Sequence, residues 1–265
     1  SLTDFNYSIS VPKAEAESVY VYADLSLYSG TVSNMSAGKY YYKGGQTLSV
    51  LESEKITVNL NEVSSINMTI PTGYRVSGKL IYPNGAIGAL ERGTLYANYS
   101  TDTGGSANVS CSVSADEYGN YEVYLPPKDR EYKFYLSPTL SAKTNLIGSS
   151  YYYVSASEST DSYSTATSVD VTGNISDINF VFEKGSTISG KIILPDGVNY
   201  TSGMSVSLCL RKSTPYLYQY GNVTLTGKET EYMIAYPSDI GDDVYMRYAC
   251  YRDPIYSDFL YYTEN

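Results

Sequence analysis

Val76-Ser77-Gly78-Lys79-Leu80-Ile81-Tyr82-Pro83-Asn84-Gly85 returns 112 residues later as Ile188-Ser189-Gly190-Lys191-Ile192-Ile193-Leu194-Pro195-Asp196-Gly197. Both copies run β-branched and apolar residues into a Pro-Asn/Asp-Gly turn, the chemistry of a strand and its reversal. Further blocks recur in the same order. Tyr7-Ser8-Ile9-Ser10-Val11-Pro12, Tyr121-Glu122-Val123-Tyr124-Leu125-Pro126 and Tyr232-Met233-Ile234-Ala235-Tyr236-Pro237 are spaced by 114 and 111 residues. Tyr40-Tyr41-Tyr42, Tyr151-Tyr152-Tyr153 and Tyr261-Tyr262 form a third set, and Ser65-Ile66-Asn67-Met68 with Asp177-Ile178-Asn179-Phe180 a fourth. Four blocks in one order at one period identify an internal repeat.

The phase of that repeat divides the chain. With the Ser-Gly-Lys strand as the start, residues 74–185 make one complete unit. Residues 1–73 form a partial unit lacking its opening strands, and residues 186–265 one lacking its closing strands. A slice from a longer array has this form, and we expect a mature or excised segment, since Ser1 opens polar, strand-like sequence without a signal peptide. Each unit reads as strand. Val19-Tyr20-Val21-Tyr22, Tyr132-Lys133-Phe134-Tyr135-Leu136 and Val244-Tyr245-Met246-Arg247-Tyr248 alternate with period two. Tyr118-Gly119-Asn120 and Gly44-Gly45 add turn signals. Helix is expected only as a turn near residues 14–18 or 215–218, and the Ser/Thr-rich residues 155–168 as a variable loop within a unit.

Composition narrows the function. The chain is 42% hydrophobic, which suits a globular core, but only 17% charged, so Ser, Thr, Asn and 32 Tyr carry much of the surface. A net charge of −10 without a Lys/Arg cluster repels phosphate backbones and anionic lipid, so neither nucleic acid nor a membrane surface is an expected partner. No apolar run approaches the roughly 18 residues of a membrane span, so no membrane insertion is expected in this segment. Eight Asn-x-Ser/Thr sequons, at Asn6, Asn34, Asn67, Asn98, Asn108, Asn174, Asn199 and Asn222, follow from such an Asn/Ser/Thr-rich surface.

The sequence nominates no catalytic residue, cofactor or metal. There is no His, which removes Ser-His-Asp and Cys-His systems and His-ligated zinc. The 28 acidic residues are scattered rather than repeated. Asp239-Ile240-Gly241-Asp242-Asp243 and Asp116-Glu117-Tyr118-Gly119-Asn120 put oxygen ligands near Gly, but neither has the alternating positions and closing Glu of a calcium loop. Three Cys at irregular spacing give no disulfide framework. A Cys209–Cys250 bridge is opposed by alternation, and Cys111, in the context that later holds Leu225, reads as a small buried hydrophobe.

The pattern Val/Ile-Ser-Gly-Lys followed by Pro-Asn/Asp-Gly, then Asp116 through Pro126, then Ile178-Asn179-Phe180, resembles the carboxypeptidase regulatory-like domain. It is similar also to the collagen-adhesin B-type repeats of bacterial surface proteins. The resemblance rests on residues 76–85, 116–126, 178–182 and 188–197. It implies tandem prealbumin-like, Greek-key β-sandwich modules. The family's Gly-Asn-Tyr turn is complete only at Gly119-Asn120-Tyr121; Phe5-Asn6-Tyr7 and Thr230-Glu231-Tyr232 depart from it. In the adhesin repeats a Lys–Asn isopeptide joins such strands, and Lys79, Lys191, Asn67 and Asn179 sit at the matching places. Alternation of Ile178, Phe180 and Phe182 turns Asn179 away from the inward face, so a solvated Lys and a polar-face Asn are expected instead. Glu122, a candidate acid, is replaced by Ser8 and Met233 in the other copies.

The expected role is non-enzymatic: a segment of a secreted or cell-surface bacterial protein acting as stalk, spacer or adhesion module. Its expected partners are neighbouring units of the parent chain, a host or extracellular-matrix protein, or a glycan. The alternative is a glycan-binding accessory module, in which Tyr41, Tyr152 and Tyr262 supply rings for sugar faces. Alternation sets the middle ring of each triplet opposite the outer two, which points the others to the core.

Overall fold

The computed structural model describes residues 18–25, 35–42, 46–47, 56–57, 66–101, 104–141, 143–197, 199–200, 205–213, 216–238, 245–252, 255–256 and 260–261. The fold is all-β, without α-helix among the described residues. Short strands come first: β1 (Ser18–Val19), β2 (Tyr22–Asp24), β3 (Lys39–Tyr42), β4 (Gln46–Thr47) and β5 (Ile56–Thr57). The middle supplies β6 (Tyr74–Ile81), β7 (Leu90–Ser100), β8 (Ser106–Val113), β9 (Asn120–Leu125), β10 (Arg130–Leu140) and β11 (Lys143–Ile147). It continues with β12 (Tyr151–Ser155), β13 (Glu158–Thr160), β14 (Ser168–Val171) and β15 (Phe180–Val181). The last part adds β16 (Ser186–Ile193), β17 (Ser205–Ser213), β18 (Tyr216–Thr224), β19 (Glu229–Tyr236), β20 (Tyr245–Arg252), β21 (Ile255–Tyr256) and β22 (Leu260–Tyr261).

The recurring sequence blocks are pairing partners. In the antiparallel ladder of β6 and β9, Gly78 stands opposite Tyr121. In that of β16 and β19, Gly190 stands opposite Tyr232. The larger sheets match as well: β8-β7-β10-β12-β13 in the middle, and β18-β17-β20, with β21 and β22 on β20, at the end. The order β2-β3-β4 repeats that of β10-β12-β13.

Alternation then builds the core. Leu95 and Ala97 of β7, Val109, Cys111 and Val113 of β8, and Tyr132, Phe134 and Leu136 of β10 point to one face and are buried. They share a single apolar cluster with Val76 and Leu80 of β6, Tyr121, Val123 and Leu125 of β9, and Phe180. Two sheets therefore close over one lining, as in a sandwich, and each fully buried Leu, Val or Phe contributes roughly 2 kcal/mol. A smaller cluster joins Val206, Val223, Leu225, Tyr232 and Ile234. Cys111 and Leu225, matched in the sequence, are both 2% exposed.

The opening strand β6 is held on both edges. Opposite β9 lies the closing segment, where Phe180 and Val181 pair in parallel with Leu80 and Ile81. Ser77 N–H donates to the Ile175 carbonyl (3.1 Å), and Ile178 N–H to that of Ser77 (3.2 Å). The Tyr121 hydroxyl crosses Gly78 to donate to the Ile178 carbonyl at 2.5 Å. A Cβ on Gly78 would lie 2.0 Å from that same oxygen, so only glycine fits.

Three expectations change. Asn179 is only 9% exposed, not a solvated polar-face residue. The 155–158 turn covers it, and its amide accepts from Lys79 N–H and donates to the Ala156 carbonyl. Residues 155–168 are not wholly loop, because β13 pairs with β12 and β14 with β10. Residues 216–218 are strand, set by the pairing of β18 with β17.

The shared register yields an internal comparison. Gly78→Ala drives a methyl group into the Ile178 backbone and is expected to cost about 3 kcal/mol or more in urea or thermal unfolding. At Gly190 the nearest atom to a new Cβ is the Tyr232 hydroxyl at 2.9 Å, the end of a movable side chain. Gly190→Ala is therefore expected to cost about 1 kcal/mol. Equal losses would mean that the closing segment does not constrain Gly78.

Candidate functional site

The outward face of the large middle sheet carries a row of tyrosines. Tyr96 of β7 pairs with Tyr135 of β10, and Tyr135 with Tyr152 of β12. The Tyr96 and Tyr135 rings stack 4.6 Å apart at 8°. Tyr135 and Tyr152 are tilted at 4.9 Å, and Tyr163 meets Tyr152 edge-on at 6.0 Å. Lys133 Nζ lies 4.7 Å from the Tyr163 ring centre and donates to the Tyr163 carbonyl. Ser110 opposite Tyr96 and Thr160 opposite Tyr152 extend the row in neutral polar residues. The Tyr96 and Tyr135 rings therefore cover one another's faces.

Tyr152, a candidate from the sequence, thus stands half-buried between Tyr135 and Tyr163. Tyr41 is also half-buried and tilts against Tyr22 at 5.5 Å, with Lys39 Nζ 5.2 Å from the Tyr22 ring. This Tyr22–Tyr41 pair repeats the Tyr135–Tyr152 pair in register. Tyr262 lies outside the described residues. Sequence reasoning missed Tyr96, Tyr135 and Tyr163. For Tyr96 and Tyr135 the signal was available, since each alternates with buried neighbours and so must face out.

Three other rings of these clusters are structural. Tyr40 and Tyr151 are buried, and Tyr153 packs against the core. Tyr151 lies on Phe182, and its hydroxyl donates to the Ile147 carbonyl at 2.5 Å. Burial pushes the Tyr40 and Tyr132 phenols up to about 12 and raises those of Tyr121 and Tyr151 further. It also pushes the Cys111 thiol up to about 12, which makes it inert rather than nucleophilic.

A polar cleft of about 680 Å³ opens beside β6, with Arg75, Lys79, Asp116, Glu122 and Asp177 on its walls. Its groups mostly hold the fold. Asp116 accepts from the N–H groups of Tyr118 and Asn120 and from the Asn120 side chain, closing the turn. The Asn120 side chain first, then those backbone donors, hold its carboxyl below the usual range. Arg75 pairs with Glu122 at 3.5 Å. Asp177 takes a left-handed φ of 65° at the bulge before the closing strand, where Asp is tolerated better than most residues.

Among the described residues no group of three His, Cys, Asp or Glu is placed to hold a metal ion. Residues 239–243 lie outside those described. Cys209 stands opposite Arg247, and Cys250 opposite Val206, in the β17·β20 ladder. That three-residue offset exceeds the roughly 7 Å Cα separation a disulfide spans. No described helix is long and apolar enough to cross a membrane.

No family model matches the chain, and no curated protein matches it. Among solved structures, a DUF3823 family protein from Parabacteroides merdae ATCC 43184 is 14% identical, over 72% of this chain and 98% of that one, with a TM-score of 0.26. Another DUF3823 family protein, from Bacteroides ovatus ATCC 8483, is 16% identical over 71% and 97% of the two chains, with a TM-score of 0.22.

The buried phenols set an alkaline limit. Each is raised above the unfolded value of 10.0, so its stabilisation is complete below pH 10 and disappears as pH climbs through the folded value. Between these limits the unfolded chain has released protons that the folded chain retains. Stability is expected to fall by about 1.4 kcal/mol per pH unit for each such tyrosine. Urea unfolding from pH 9 upward, with tyrosinate absorbance alongside, measures it; a flat profile through pH 11 would contradict the burial of these rings.

Proposed function

We propose that the chain is a non-enzymatic segment of a secreted or cell-surface bacterial protein, in which tandem prealbumin-like β-sandwich units at 1–73, 74–185 and 186–265 act as a stiff stalk, spacer or adhesion module. The observation that carries this reading is how successive repeats are joined. Strand β11 of the middle repeat pairs in parallel with β19 of the next, Lys143 opposite Met233 and Ile147 opposite Ala235. Lys143 forms an ion pair with Glu231. The equivalent edge of β9 is met from the preceding repeat, where Ala37 N–H donates to the Tyr124 carbonyl at 2.7 Å. Ala235 and Tyr124 are matching positions of the repeat, so both joints are made at one place.

A junction built as a β-ladder resists bending in a way that a free linker does not. Gly73 and Gly185, 112 residues apart, make room for it: a Cβ would lie 2.5 Å from the Leu125 carbonyl oxygen and 2.2 Å from that of Tyr236. Their shared spacing was a readable signal of this role. Such an array holds distance between whatever flanks it, with neighbouring units as its first partners. Hydrogen–deuterium exchange tests the stiffness. Amides of β11 and β19 are expected to be protected like those of the β7·β10 core; exchange of β11 at loop rates would overturn the rigid-array reading.

A glycan-binding role is the second reading, and the outward tyrosine row favours it. A strip of phenols flanked by Ser and Thr, with Lys133 at its Tyr163 end, suits hydrogen bonding to a neutral glycan, with Tyr152 at its centre and Tyr41 on the repeated pair. Screening on a glycan array is expected to yield a hit that Tyr152→Ala weakens about tenfold or more. An array without hits removes this reading and leaves the spacer untouched. A host or extracellular-matrix protein is the other partner class that an adhesion module would engage.

A further inference from the structure

The tyrosine row on the outward face of the middle sheet ends differently on its two sides. Tyr135 is closed in, with Tyr96 stacked on it at 4.6 Å and 8° and Tyr152 tilted against it at 4.9 Å. Tyr152 then meets Tyr163 edge-on, and the Lys133 ammonium lies over the Tyr163 ring. Tyr96 stands on β7 between Tyr135 of β10 and Ser110 of β8. Its ring lies parallel to that of Tyr135 at close to the strand spacing of roughly 4.8 Å, so its second face is turned toward β8. Ser110 is too short to cover that face, and among the described residues no second ring or cation meets it.

The surface beside that face is polar and uncharged. Thr94 and Asn98 flank Tyr96 on β7, and Asn108 stands opposite Asn98 on β8, two residues from Ser110. Thr94, Asn98 and Ser110 are half-buried, and Asn108 is exposed. Among the described residues, no hydrogen bond engages the side chains of Asn98, Asn108 and Ser110. Lys133, opposite Asn98 on β10, is turned to the Tyr163 carbonyl. A bare ring face beside free amides and a hydroxyl matches the two-sided chemistry of a sugar. A pyranose has axial C–H bonds on its faces and hydroxyls around its rim. An aromatic side chain of a protein partner would cover the ring but leave the three polar groups without partners. A sugar acid would add its charge to a chain already at −10. All of these residues lie within 74–185, the repeat that has both its opening and its closing strands.

We propose that the ledge between Tyr96 and β8 is a subsite for one neutral pyranose with equatorial hydroxyls. The sugar stacks on the free face of Tyr96, in the place that a further tyrosine of the row would fill. Asn98, Asn108 and Ser110 hydrogen-bond its rim hydroxyls, and the stacked Tyr135 holds the Tyr96 ring in position. An axial hydroxyl on the stacked face would hold the two rings apart, which selects an all-equatorial sugar. The inference rests on the glycan-binding reading. It moves the stacking ring from Tyr152, which is already in contact with two rings, to Tyr96.

Isothermal titration calorimetry of the full chain with cellohexaose, an uncharged β1,4-linked glucose oligomer, tests this. Saturable binding is expected. Tyr96→Phe keeps the ring and is expected to bind within about twofold of the parent chain, whereas Tyr96→Ala is expected to weaken binding about tenfold. Ser110→Tyr extends the stack by one ring into the subsite. It is expected to abolish binding while the thermal midpoint stays level or rises, because cross-strand aromatic pairs stabilise a sheet. That second variant separates loss of the subsite from loss of the fold. Failure of the parent chain to bind cellohexaose overturns the proposal, and a glycan array without hits overturns the glycan-binding reading along with it. Cellohexaose binding that Tyr152→Ala weakens but Ser110→Tyr leaves intact overturns the Tyr96 subsite alone.

Discussion

The close approach of three backbones at Gly78 governs the middle of this molecule. Strand β9 lies on one side, the closing segment on the other, and the Tyr121 hydroxyl bridges the gap to the Ile178 carbonyl. That contact draws a segment a hundred residues downstream against the opening strand. It thereby seats Ile178, Phe180 and Phe182 in the core, and the Asn179 amide beside them completes the Lys79 backbone. A side chain at position 78 would separate the strands and release the whole closing segment at once.

The same logic explains the joints between repeats. A sheet has two edges, and each exposed edge is a row of unmet donors and acceptors. In this chain β6 takes its closing segment on one side, while β9 and β19 each meet a segment of the preceding repeat on the other. Successive units are thus joined by main-chain hydrogen bonds, with glycines at 73 and 185 allowing the approach. In both repeats these edges are satisfied by neighbouring chain.

Tyrosine does two jobs in this protein, and position decides which. Tyr40, Tyr121, Tyr132 and Tyr151 supply bulk to the core, and three of them direct their hydroxyls to protein oxygens: Tyr40 to Ser36, Tyr121 to Ile178 and Tyr151 to Ile147. Tyr96, Tyr135 and Tyr152 stand on the opposite face and stack across strands. With Trp absent, Tyr is by far the commonest aromatic residue, and its polar tip lets it serve both faces of a sheet.

The sequence by itself determined the repeat, the strand-rich class and the faces of most strands, because a period of two separates Leu95 from Tyr96 and Phe134 from Tyr135 in any sheet they enter. It also identified Cys111 as a core residue through its match to Leu225. It misread Asn179, whose alternation says outward while the 155–158 turn folds over it. Tertiary structure alone decided which edges are filled, that Tyr135 stands beside both Tyr96 and Tyr152, and that β11 crosses to the next repeat. The physical reason is that side-chain alternation encodes the faces of a sheet, whereas its edges are made by N–H and C=O groups that nearly every residue carries alike.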